Sequence, residues 1–199
     1  MNKAMIKIVG ISCSLHPASV SRVALLEMRK AAKQKGAQFE LVDLSNADWE
    51  LPLFDPKRKN TPEAYTKIQK LLLESASIVI ASPDYHGSMS GVAKNFMDYY
   101  WNEFAGKLFG YVCASHEKGL TVMDQMRTSV RQCYGWSLPY GLSLSEADLD
   151  TERKSVSNAK TLARVNMMAH DLIHYGQMMH SQFNADKGKE GQGFAAIYK

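Results

Sequence analysis

Residues 77–88 read S-I-V-I-A-S-P-D-Y-H-G-S. The first five, Ser77-Ile78-Val79-Ile80-Ala81, form an unbroken apolar run of strand length, the pattern of a strand buried on both faces. The remainder sets a tyrosine and a histidine between Pro83 and Gly87. A plain strand-to-helix connection needs only a turn residue and a cap, so the aromatic content asks for another reason. Pro83 stiffens the chain, and Gly87 lets a ligand approach the backbone with no Cβ in the way. The backbone N–H groups of Tyr85, His86 and Gly87 can bond the edge of a planar heterocycle, with Tyr85 near its ring. The plainer reading is a capped turn, with Tyr85 as packing and His86 in solvent. For His86 alone the plainer reading stands, because a lone histidine is rarely catalytic. Ser88 lies near His86, but neighbours on a turn need not face each other, so a hydrolase reading is weak.

Outward from this stretch, apolar strands alternate with amphipathic helices. Strands are predicted at residues 6–11, 39–44, 77–82, 108–114 and 136–144, and helices at 20–35, 61–75, 91–100, 120–134 and 157–178. Gly36 ends the first helix after a run of late lysines and Arg29. Thr61 reads as the cap of the second, with Pro62 at its first position and Glu63 in its first turn. Residues 45–60, holding Pro52 and Pro56, read as a long loop. This order predicts an α/β domain over residues 1–182, a parallel sheet with helices on both faces, and a C-terminal tail over 183–199 whose polar stretch 184–191 extends over the surface. In such sheets ligands bind beyond the carboxyl ends of the strands, where strand order reverses.

The loop after the first strand meets that requirement. Residues 12–22 read S-C-S-L-H-P-A-S-V-S-R, with four serines at a helix N-terminus. Free backbone N–H groups and the positive end of the helix dipole favour an anion there, and hydroxyls donate further bonds, worth about 1.5–3 kcal/mol each to a charged acceptor. Ser19 or Ser21 alone would be an ordinary cap; four serines in one loop point to a phosphate. The stretch lacks G-x-x-x-x-G-K-[ST] and G-x-G-x-x-G, so neither a triphosphate loop nor a dinucleotide fingerprint is present.

Composition bounds the rest. The chain has 199 residues with 45% hydrophobic and 22% charged, enough for one cored domain. Its net charge of +4 is spread along the chain, with no basic stripe for nucleic acid. Cys13, Cys113 and Cys133 are odd in number and lack metal-ligand spacing, which fits a reducing compartment. No signal region follows Lys3 and no run is long enough to span a membrane, so a cytoplasmic protein is expected.

With both loops read, the chain resembles the NADPH-dependent FMN reductases of the flavodoxin-like group, which includes flavin, azo, quinone and chromate reductases. The family's phosphate loop, G-S-x-R-x-x-S-x-S/N-R, aligns with Cys13 to Arg22. Its ring loop, [ST]-P-E-Y-N-G-S followed by G-x-x-K-N-x-x-D, aligns with Ser82 to Ser88 and Gly91 to Asp98. The resemblance implies a three-layer flavodoxin-like sandwich with five parallel strands in the order 2-1-3-4-5. It implies that Ser14, His16, Ser19, Val20 and Ser21 hold the FMN phosphate, that Pro83, Asp84, Tyr85, His86 and Gly87 line the isoalloxazine, and that Ser115 lies near it. Four positions depart from the family: Cys13 for Gly, His16 for Arg, Asp84 for Glu and His86 for Asn.

The activity implied is hydride transfer from NADPH or NADH through bound FMN to a small acceptor: free flavin, a quinone, an azo compound or a metal oxyanion. The cofactor carries that chemistry, so no catalytic side chain is required. Two other readings are an FMN electron carrier without nicotinamide turnover and a phosphate-ligand protein that has lost flavin. A homodimer or homotetramer is implied, with the helix after the ring loop at the contact. Phe96, Tyr99, Tyr100 and Trp101 of that region read equally as interface or as core.

Overall fold

In a computed structural model, which describes residues 5–189 and 193–198, β1 (Lys7–Ser12) leads through a loop to α1 (Val20–Gln34) and returns as β2 (Gln38–Asp43). Next come α2 (Glu63–Glu74), β3 (Ser77–Tyr85), β4 (Ser88–Met89) and α3 (Gly91–Tyr99). They are followed by β5 (Leu108–Ala114), α4 (Leu120–Gln132), β6 (Trp136–Ser137), β7 (Leu142–Leu144) and α5 (Ala159–Asp186). The sheet runs β2-β1-β3-β5-β6, parallel along that path, with β7 also parallel to β5. This is the expected 2-1-3-4-5 order of a flavodoxin-like sandwich. The reversal between β1 and β3 puts the crevice where the two singular loops leave the sheet.

Alternation along the strands sends each side chain to one of two layers. Val79 and Ala81 pack with Leu25, Met28, Met168 and Leu172 under α1 and α5. Ile78 and Ile80 pack with Ile68, Leu72, Phe96 and Met126 under α2, α3 and α4. Gly176 lets α5 lie directly on the start of β3, where the Ser77 hydroxyl donates to Leu172 O at 2.7 Å. Lys107, just before β5, is buried, and its ammonium donates to Leu73 O at 2.9 Å and to Ser75 O at the end of α2. Both carbonyls lie where a helix presents its negative pole.

Several expectations are corrected. The fifth strand is two short pieces, because Pro139 lies between β6 and β7 and has no N–H to give the ladder. β3 runs to Tyr85 rather than residue 82, because Asp84 and Tyr85 pair with β4. Thr61 does not cap α2: Pro62 occupies the cap position and makes no side-chain cap bond. The last helix extends to Asp186, so the boundary expected after residue 182 falls inside it. Phe194 then packs back on Phe183 and Tyr134, at 5.9 and 5.5 Å between ring centroids, and Ala195 is buried. The surface extension expected over 184–191 is helical at its start, and residues 190 and 191 lie outside the described residues. Phe96 and Tyr100 are core, while Trp101 is exposed.

Candidate active site

The chain leaves β1 buried. Cys13 N–H donates to Ala81 O at 2.8 Å, and Cys13 O accepts the Ser90 hydroxyl at 2.8 Å, which ties this loop to the N-terminus of α3. Ser14, Ser19 and Ser21 are also buried. Ser19 caps α1 by accepting Arg22 N–H at 3.2 Å, and its hydroxyl lies 3.2 Å from that of Ser21. The first-turn amides of Val20 and Ser21 have no acceptor within the helix. His16 Nδ1 accepts Ala18 N–H at 3.1 Å, so the neutral ring carries its proton on Nε2 and can donate while uncharged. The Arg22 guanidinium faces away from this group. It holds Pro17 O and Asp43 Oδ2, bracing the loop from behind.

After β3 the sequence makes a two-residue hairpin. His86 and Gly87 both have positive φ, 59° and 74°, the pattern of a type I′ turn, and Tyr85 pairs with Ser88 across it. Histidine is among the few residues other than glycine that enter this region readily. The Asp84 carboxylate locks the turn: Oδ1 accepts Gly87 N–H at 2.8 Å and Oδ2 accepts the Ser115 hydroxyl at 2.8 Å. The Gly87 N–H is therefore spent inside the loop and is not offered to a ring edge, contrary to the sequence expectation. From α4, Gln125 accepts the Ser88 hydroxyl at 2.8 Å and donates to Gly87 O at 3.2 Å, clasping the hairpin from the other side.

These loops meet across a cavity of about 480 Å³ at the carboxyl ends of the strands. Ser14, His16, Ser19, Val20 and Ser21 line one end. Pro83, Asp84, Tyr85, Gly87 and Ser115 line the other. His86 alone among the expected residues is absent from the lining; it is exposed at the turn. The remaining wall is formed by His116 and Glu117 after β5, and by Leu144, Ser145 and Glu146 after β7. A second recess of about 720 Å³ continues from this wall past Lys118 and Thr121. Among the described residues no group of three or more His, Cys, Asp or Glu side chains is placed to hold a metal, and no helix is long and apolar enough to cross a membrane.

The thiols beneath the site are inert. Burial, then the Asp84 charge, pushes Cys113 up to about 12, and burial raises Cys13 further still. Unfolded thiols ionise near 9.0 while these stay protonated, so their stabilisation is complete below that pH and is lost as pH rises above it. The loss approaches ~1.4 kcal/mol per pH unit per thiol. Burial lowers Lys107 to about 8, which works in the opposite sense between about 8 and 10.5 and offsets roughly one thiol. Urea midpoints should fall between pH 9 and 11, and less steeply in Cys113→Ala.

A sheet in this order, with a serine-rich helix N-terminus facing a locked hairpin across one crevice, is a flavodoxin-like arrangement. The family model described as NADPH-dependent FMN reductase matches residues 6–148, and the chain belongs to that family. It is 31% identical over 137 residues to an NADPH azoreductase of Bacillus sp. (strain OY1-2), covering 63% of this chain and 76% of that protein. It is 32% identical over 96 residues to the NAD(P)H-dependent FMN reductase PA1204 of Pseudomonas aeruginosa, covering 47% of this chain but only 49% of that one. Among solved structures it is similar to FerB, a flavoenzyme NAD(P)H:(acceptor) oxidoreductase from Paracoccus denitrificans, with a TM-score of 0.74 at 15% identity over 88% of this chain and 99% of that one. At that identity the likeness is one of fold.

Proposed function

We propose that the crevice holds FMN and that the chain is an NAD(P)H-dependent reductase of a small electron acceptor. The observation that carries this is the meeting, in one cavity, of three buried serines at a helix N-terminus with the hairpin that ends β3. The residues fit the group. Hydroxyls of Ser14, Ser19 and Ser21, the amides of Val20 and Ser21, and His16 Nε2 are donors suited to a dianionic ester. Asp84, Ser115 and Gln125 hold the hairpin rigid, so that Tyr85 and Pro83 present a fixed surface to a flat ring. Bound FMN would supply the chemistry, taking hydride from a reduced nicotinamide and passing electrons on. The protein's part would be to position the ring beside Pro83 and Tyr85, with nicotinamide and acceptor taking turns in the part of the cavity lined by His116, Glu117 and Glu146.

A visible spectrum with added FMN, before and after NADPH without oxygen, tests the reading. Bleaching of bound flavin supports it. Bound flavin that does not bleach would leave an electron carrier, and no binding would leave a flavin-free relative. A homo-oligomer and a cytoplasmic setting belong to the same proposal. The exposed Leu15 and Leu53, beside a second cavity of about 470 Å³ against α3, offer apolar surface for subunit contact, which sedimentation would detect.

His86 serves through its backbone in this account. His86→Asn should keep FMN affinity within about twofold, since Asn-Gly suits a type I′ turn. His86→Val should lower stability by about 1–3 kcal/mol, because a β-branched residue resists positive φ. Flavin titration and thermal melts check both.

A further inference from the structure

A cavity of about 520 Å³ lies at the opposite end of β5 from the crevice, between the end of α2, the start of β5 and the end of α5. β5 separates the two by its length, about 20 Å. Three basic side chains line this cavity: Lys107, His180 and Lys187. No carboxylate among the described residues does. Lys107 is only 5% exposed, and two of its three ammonium protons go to backbone carbonyls, leaving one donor and an uncompensated charge. His180 adds a second unmet demand. The Asn184 side-chain nitrogen, 3.0 Å from Nε2, can only donate, so Nε2 accepts and the proton sits on Nδ1. That Nδ1 is buried and has no partner. A buried donor left unpaired costs stability that a bound acceptor would restore. The crowding acts on the bases themselves: burial, then the Lys107 and Lys187 charges, lowers His180 to about 4, and burial, then the Lys187 charge, lowers Lys107.

The walls are aromatic. Trp101, Tyr134 and Tyr198 face the cavity with Phe183, and the Lys187 ammonium lies 6.0 Å from the Phe183 ring. Trp101 is 63% exposed, so its indole is open to a ligand in the cavity. The α2 carbonyls explain why a lysine stands at 107, but not why His180 and Lys187 join it, nor why aromatic rings surround them.

The geometry points to a second ligand site: the cavity binds a small planar aromatic anion, its charge between Lys107, Lys187 and the His180 Nδ1–H, its ring against Trp101 and the tyrosines. Such a site stands apart from the crevice and is occupied without displacing what the crevice holds.

Calorimetry on the full chain, with and without added FMN, tests this with three probes: benzoate, its neutral counterpart benzamide, and inorganic phosphate. Benzoate should bind one to one, equally with FMN present, and benzamide at least about tenfold more weakly. Lys187→Met, at the C-cap of α5 where the cap bond runs from the backbone N–H to Phe183 O and survives the change, should weaken benzoate at least about tenfold with an unchanged melting temperature. Lys107→Met should weaken benzoate likewise, at a lower melting temperature because the Leu73 and Ser75 carbonyls lose their donor, and if it fails to fold, His180→Phe takes its place. Phosphate binding as tightly as benzoate would overturn the aromatic requirement. Absence of benzoate binding, equal binding of benzamide, an unaffected Lys187→Met, or competition with FMN would each overturn the site.

Discussion

Ser19→Asp should leave the protein folded and strip it of FMN. Aspartate caps a helix as well as serine does, and its charge suits the positive end of α1, so the bond now made from Arg22 N–H to Ser19 has a ready replacement. The same carboxylate would stand where the proposed phosphate dianion binds. Two like charges about 4 Å apart repel by roughly 4 kcal/mol at an effective dielectric near 20, and the phosphate carries nearly two against the one of aspartate. Allowing for solvent, affinity should drop at least about 100-fold, with the melting temperature steady or slightly raised. Ser19→Asn, a neutral cap of the same shape, should stay near the parent. FMN titration by fluorescence reads both variants. Undiminished affinity in Ser19→Asp would place the phosphate somewhere other than this loop.

Gly176→Val should severely destabilise the fold. A glycine in a helix interior ordinarily invites improvement, since alanine is favoured there by ~1 kcal/mol. Here a Cβ would sit 1.9 Å from the Ser77 hydroxyl and 3.3 Å from the Ser77 Cβ. α5 would have to lift from β3, or Ser77 would have to give up its bond to Leu172 O. The expected cost is about 3 kcal/mol or more, a fall of about 6–12 °C in melting temperature. Gly176→Ala should also destabilise, and adding Ser77→Ala should recover much of that loss, because the obstructing oxygen is gone. Additive effects in the double mutant would mean that the helix does not rest on this strand as described.

The parallel strands were legible because burial on both faces leaves nothing polar in Ile78 to Ala81 and no charged side chain in β5. The phosphate loop was legible because serines are cheap at one cap but unexpected four times over. The hairpin was not recognised, although its signal was present. His86-Gly87 lies between two residues that pair directly, and the dipeptide stands where Asn-Gly would announce a type I′ turn; histidine disguised it. The spent amide of Gly87 followed from the same oversight, since only a closed turn brings Asp84 back to it. Leu144, Ser145 and Glu146 could not be placed in the crevice, because their position depends on β7 re-forming beside β5 after Pro139. Gln125 had no local signal at all, its partners lying 36 to 38 residues away in the chain.

The break between β6 and β7 has a consequence for life in a crowded solution. A long, bare border strand is a template on which a neighbouring molecule can stack, the first step toward fibrous deposits. Here that border is cut into stubs of two and three residues with a proline between them. A stranger's backbone finds no continuous row of donors and acceptors to extend, so this flank is guarded against runaway association.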